Sequence, residues 1–364
     1  MTITLQGGTR RKSRGLTLVE LMVAMVIGLV VVLVAARLFV GTRSTQKGTD
    51  DEAALFETGQ LVLELLGREV SNAGFYPVVS VEPTPTGGVP SSNVLATYDT
   101  AVAGLNGGVV PAAYLHGLYG CADGKLNATL SGCSANGAGD PSGSDTLVVS
   151  YFTNDAFSLN VGHRADCSNT NVGDDPLYNA GRAGTVTTVN ASGVAVTSAR
   201  GTTGLAPTAP LLVANRYFLQ SMRYVDERGS TVNTFVLSCQ GNAGGAAVPL
   251  VPGVLQFTAR YGVLSDDSLR PQQYLTATGV NGLTALTLAD GRVFQPWQRV
   301  VSVRLCVMVR STAATRFRDG GTGAASVTDC NGTAVTPPTG VSYRTFTQVF
   351  GVKNRQLRTV DLPL

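Results

Sequence analysis

The sequence predicts an α+β protein: one long N-terminal helix, transmembrane in its lower half and amphipathic in its upper half, packed on an antiparallel β-sheet head with long disulfide-stapled loops. Three observations predict it. A 21-residue apolar run, Leu16 to Ala36, holds a single charge, Glu20. An apolar stripe of helical period continues from it to about residue 72. Beyond that, β-branched and aromatic runs alternate with turn residues, and all six cysteines lie among them.

As a helix the apolar run would rise about 31 Å, enough to cross the hydrocarbon core of a bilayer. Arg10, Arg11, Lys12 and Arg14 precede it and account for four of the chain's positive charges, so the formal +3 belongs to the leader and the rest is close to neutral. Such a cluster holds an N-terminus in the cytoplasm, although Arg37, Arg43 and Lys47 blunt the asymmetry. The cysteines break the tie. Cys121, Cys133, Cys167, Cys239, Cys306 and Cys330 are even in number, show no C-x-x-C spacing and fit disulfides in an oxidising space. An ordinary secretory signal, cut after Val34-Ala35-Ala36, is the alternative; the run is too long for one, and a discarded signal has no use for Glu20.

Leu55, Gly59, Val62, Leu66 and Val70 form the stripe of the upper helix, with Asp50, Asp51, Glu57, Glu64 and Arg68 on other faces. Asn72 to Pro77, "NAGFYP", ends the helix with glycine and proline chemistry. The expected division is a basic leader (1–15), a helix (16–72, with 16–36 in the membrane) and an extracytoplasmic β-rich head (73–364).

Within the head, residues 82 to 144 are rich in Gly, Pro, Ser and Asn and read as a long irregular surface region stapled by Cys121 and Cys133. Strand signals follow in "DTLVVSYF", "GTVTTVNASGVAVTS", "RYFLQSMRYVD" with "TVNTFVLSC", "VLQFTARYGV", "RVVSVRLCVMVRS" and "YRTFTQVFGVKN", and their hairpin spacing favours an antiparallel sheet. Proximity along the chain pairs Cys121 with Cys133 and Cys306 with Cys330, leaving Cys167 for Cys239.

Catalytic constellations are absent from the sequence: it has no G-x-S-x-G elbow, P-loop or H-E-x-x-H, and only two histidines, His116 and His163. No enzyme activity and no cofactor are expected. Asp166, Asn169, Asn171, Asp174 and Asp175 cluster oxygen ligands that could hold calcium, but their spacing is not that of an EF-hand and a solvated turn is the simpler reading. Zinc lacks a second clustered ligand pair beside His163 and Cys167. Trp297 reads as a core plug. Lys353, Arg355 and Arg358 form a small basic patch without interleaved aromatics, so no nucleic-acid partner is expected.

Glu20 needs its own explanation, because a carboxylate in a bilayer is disfavoured by a few kcal/mol near the helix centre and less toward its end. Cleavage between Gly15 and Leu16 would create an α-amine at Leu16 with Glu20 at the fifth position, one helical turn away. That amine, or the amine of a displaced neighbouring helix, offsets the charge and makes Glu20 a register lock between subunits.

"RGLTLVELMVAM" resembles the processing and assembly signature of type IV prepilins: a basic leader, Gly15 at the cut, Leu16 as the methylated first residue, then Thr17-Leu18-Val19 and Glu20. The chain departs from many major pilins in having no proline in the apolar helix, where Gly28 is the one weak point. "LGREVSNAGFYP", "LVPGVLQFTARYGV", "WQRVVSVRLCVMVRS" and "YRTFTQVFGVKNR" resemble the PilW family of minor pilins in order and spacing. The resemblance implies a pilin-like fold and a non-catalytic assembly subunit, cleaved and N-methylated by a prepilin peptidase. It also implies a start as a single-pass inner-membrane protein with a periplasmic head and an end in the extracellular pilus, within a priming or tip complex. Its implied partners are other minor and major pilins, the peptidase, the inner-membrane assembly platform and a tip adhesin. Two alternatives stay open: a type II secretion pseudopilin, and a membrane-tethered adhesin or enzyme with a pilin-like anchor.

Overall fold

The computed structural model describes residues 17–75, 112–114, 116–137, 139–152, 165–170, 172, 185–189, 195–199, 212–225, 229, 231–265, 270–287, 293–311, 326–338 and 341–356. The chain divides into two compact units, Met1–Asp51 and Glu52–Leu364.

Helix α1 (Leu18–Asn72) runs for 55 residues and supplies the described part of the first unit. There it is built from Leu, Val, Ala and Met, and every apolar side chain from Leu18 to Val34 is exposed. A stretch of 26 residues, Leu18–Arg43, is long and apolar enough to span a bilayer. In the second unit the same helix changes character. Leu55, Gly59, Val62, Leu66 and Val70, the predicted stripe, are all buried, and Glu57, Glu64 and Arg68 are exposed. Gly74, in the left-handed region at φ 67°, ends the helix as "NAGFYP" predicts.

The head is built on two antiparallel sheets. The first is a meander of five strands in chain order: β1 (Leu118–Cys121), β2 (Thr146–Phe152), β3 (Leu212–Val225), β4 (Thr231–Gly241) and β5 (Val248–Pro252). Gly253, at φ 80°, turns the chain into the second sheet. Its strands β6 (Val254–Val263), β7 (Gln273–Leu275), β8 (Val300–Arg310) and β9 (Tyr343–Gly351) lie in the order β7-β6-β8-β9. Each of the seven predicted strand runs contributes a strand; residues 185–189 and 195–199 pair with each other as a separate ribbon. Two short helices, α2 (Ala277–Asn281) and α3 (Lys353–Gln356), and ribbons pairing Leu286–Thr287 with Val293–Phe294 and Val327–Thr328 with Ala334–Val335 are also part of the described head.

One expectation needs correction. Part of the region read as irregular surface is core: β1 is buried along its whole length and forms the edge of the first sheet, followed by a ribbon pairing Gly124–Leu126 with Cys133–Ala135. "LYGC" is too short to show alternation, and its glycine hides a packing role. A β-carbon at Gly120 would overlap the Tyr261 hydroxyl, so the small residue admits a ring to the core.

The interior joins both sheets and the helix. Leu63, Leu66, Leu118, Leu147, Tyr217, Leu237, Phe257, Tyr261 and Leu305 are among its fully buried side chains. Trp297 plugs it as expected, its ring centroid 4.9 Å from those of Tyr119 and Tyr261 and its indole N–H donating to Asn281 Oδ1 at 2.7 Å. The cysteines stand in the three pairs that proximity gives: Cys121 with Cys133, Cys167 with Cys239 and Cys306 with Cys330, at Cα separations of 5.5, 6.2 and 5.6 Å.

Candidate functional site

The assembly end of the molecule is the start of α1. Gly15 and Leu16 lie outside the described residues. Thr17 and Glu20 form a reciprocal cap. The Thr17 N–H and hydroxyl both donate to Glu20 Oε2, at 3.0 and 3.1 Å, and the Glu20 N–H donates back to Thr17 Oγ1 at 3.3 Å. This is a capping box, Thr-x-x-Glu, in which each side chain satisfies a backbone donor that has no partner in the first helical turn. It places the carboxylate at the positive end of the helix dipole, where a negative charge is favoured. Beside the chain-end amine that the apolar run suggests, the Thr17-x-x-Glu20 spacing was the signal for a second, local partner. Oε2 is the carboxylate oxygen that accepts both Thr17 bonds.

Downstream, the exposed apolar wall from Leu18 to Val40 far exceeds what a water-exposed surface tolerates, and it needs lipid or neighbouring helices around it.

The upper helix is fastened to the head by devices of two kinds. Two helical glycines receive aromatic rings from β9: a β-carbon at Gly59 would overlap the ring of Phe346, and one at Gly67 the ring of Phe350. Phe346 also meets Phe56 edge to face at 5.5 Å, and the Arg344 guanidinium stacks 4.0 Å from the Phe56 centroid. The second device is polar. Glu69, buried on the head side of the helix, accepts from Asn215 Nδ2 at 3.0 Å. Burial, and then the Glu69 charge, push the phenols of Tyr151 and Tyr217 well above their ordinary range, so both stay protonated and able to donate. Glu69 escaped the sequence reading because it follows Arg68 in a stretch rich in charge, where one inward-facing carboxylate has no distinctive spacing.

The predicted ligand cluster at 166–175 is only partly described. Asp166 is buried and its oxygens are engaged: Oδ1 accepts from the N–H of Ser168 and Thr170 and the Ser168 hydroxyl, at 2.9, 3.1 and 2.6 Å, and Oδ2 from the Ala243 N–H at 3.2 Å. Asn169 sits in the turn at φ 60°. Asn171, Asp174 and Asp175 lie outside the described residues. Among the described residues no group of three or more His, Cys, Asp or Glu is placed to hold a metal ion.

Of the predicted basic patch, two members are described and they are not alike. Lys353 is exposed, Arg358 lies outside the described residues, and Arg355 is buried. Buried acidic chemistry instead ties loops together. Asp145 accepts from the N–H groups of Asp123 and Ala259, both at 2.9 Å, and from Arg260 Nη1 at 3.2 Å, while Arg260 Nη2 donates to Asn331 Oδ1 at 3.0 Å. Burial raises the Asp145 carboxyl above the ordinary range against the pull of those donors. The network links the Cys121–Cys133 loop to the Cys306–Cys330 loop and reads as scaffold.

A membrane-length helix exposing its apolar side chains, with an antiparallel, disulfide-linked head, fits a membrane-anchored protein of the pilin class. Two family models match the chain: the prokaryotic N-terminal methylation motif over residues 10–36 and type IV pilus-assembly protein W over residues 223–354. No curated protein and no solved structure matches it. Together the two matches support a PilW-type minor pilin of type IV pilus assembly.

Proposed function

We propose that the protein is made as a prepilin, cut between Gly15 and Leu16 and N-methylated at Leu16 by a prepilin peptidase. It waits in the inner membrane with its head in the periplasm and is then drawn into a pilus. The observation that carries this is the methylation motif over residues 10–36 standing immediately before and across an exposed apolar helix of membrane length. Its role is non-catalytic: Gly15 and Leu16 serve as substrate, and Glu20 sets register by meeting the amine of an adjoining subunit. The match over 223–354 favours a pilus over a secretion pseudopilin. The size of the head favours a low-copy place in a priming or tip complex with other pilins, because helices packed in a shaft leave each head limited lateral room.

The intact mass and N-terminal chemistry of protein recovered from membranes test the reading. The expected product starts at a methylated Leu16. A product starting at Arg37 would mark the apolar run as a discarded signal and overturn the proposal.

A further inference from the structure

We infer that α3 is a latch: this short turn caps helix α1 from outside and holds its last turns on the head. The carbonyls at the end of an α-helix have no partners within it. At the end of α1, Phe75 N–H recovers one by donating to Asn72 O at 3.2 Å, and Gly74 N–H goes elsewhere, to Ser150 O in β2 at 2.9 Å. The side-chain amide of Asn354 lies over this end, with Nδ2 at 3.4, 3.2 and 3.2 Å from the carbonyl oxygens of Ser71, Asn72 and Ala73. One group with two hydrogens faces three acceptors, so it can exchange among them and still keep the end satisfied.

The turn is seated firmly enough to act on the helix. Val352 is fully buried, and its N–H donates to Val301 O in β8 at 2.9 Å. Arg355 is the bolt. Its buried guanidinium donates through Nη1 to the carbonyls of Trp297 and Val300, the latter at 2.7 Å, and through Nη2 to the carbonyl of His116. A guanidinium directing its donors into three fixed carbonyls is pre-organised in a way a lysine would not be. One four-residue turn thus touches the helix end, the segment before β1 and the start of β8.

The other fastenings of α1, the Gly–Phe contacts and the Glu69–Asn215 bond, lie on its side. Opening the latch therefore frays the end of the helix and leaves the sheets folded. Amide hydrogen exchange on the full-length protein in detergent micelles tests this. In Asn354→Asp, which removes the donor, exchange of the Val70–Phe75 amides should accelerate by about fivefold or more, the factor expected for loss of a helix cap. In Asn354→Gln, which keeps the donor, it should stay near the original rate, and amides of β4 should be unchanged in both. Equal behaviour of the Asp and Gln variants, or acceleration spread evenly into β4, would overturn the latch.

Discussion

Thr17 and Glu20 serve both as a helix cap and, in the proposed assembly, as a charge for a neighbour, and substitution separates the two. A glutamine completes a capping box as well as a glutamate does, but it offers no charge to an amine. Glu20→Gln should therefore leave the amount of protein in the membrane unchanged while cutting its recovery in sheared pili by about tenfold or more, a factor within the few kcal/mol at stake for an intramembrane charge. Thr17→Val, which weakens the cap by about 1 kcal/mol, should still be recovered in pili. Immunoblots of membrane and pilus fractions read both. Normal recovery of the glutamine variant would assign Glu20 to the cap alone. Glu20 was legible in the sequence because a charge in an apolar run is conspicuous. Its partner was written three residues earlier and was overlooked, because a threonine beside leucines draws no notice unless a helix start is placed there.

At the scale of the element, α1 shows why identical residues deserve opposite treatment. Gly28 meets nothing within 4 Å where a β-carbon would stand, whereas at Gly67 that carbon overlaps the Phe350 ring. Alanine at either site removes the helix penalty of glycine, about 1 kcal/mol. Gly67→Ala must in addition displace a ring on which the helix rests, a cost of roughly 1–3 kcal/mol for overpacking. Thermal unfolding of the detergent-solubilised protein, followed by near-ultraviolet circular dichroism of the head, should show a lowered midpoint for Gly67→Ala and none for Gly28→Ala. A raised midpoint at position 67 would mean that β9 can retreat freely from the helix. Period and turn chemistry made α1, its buried stripe and seven strand runs legible, because each repeats a local rule over many residues. They could not show β1, four residues long with a glycine inside. Nor could they show what fills the notch at Gly67, since Phe350 lies far along the chain and meets it only in the fold.

At the scale of the whole molecule, the two units meet water in opposite ways. The described helix of Met1–Asp51 turns its apolar side chains outward, and Glu52–Leu364 encloses a core that includes ionisable groups. That core makes the stability of the head depend on pH. Burial, and then the nearby Arg355 charge, push the His116 imidazole down from 6.5 to about 4. A proton is therefore bound more readily by the unfolded chain. The stabilisation is complete above pH 6.5 and is lost as the pH falls toward 4, and its full extent is on the order of 3 kcal/mol. Asp145 works the other way. Its raised carboxyl makes the folded state favour the proton, so acid relieves a cost instead of adding one. Asp140, held low by Lys125, loses its contribution only below the ordinary carboxylate range. Against this background His116→Gln removes one titration and leaves the other two in place. Urea unfolding between pH 7.5 and 4.5 should show the unaltered protein losing stability steadily below pH 6.5, and the variant losing about 2 kcal/mol less over that interval. Parallel curves would show that acid reaches the head through other groups and that the imidazole titrates alike in the folded and unfolded states.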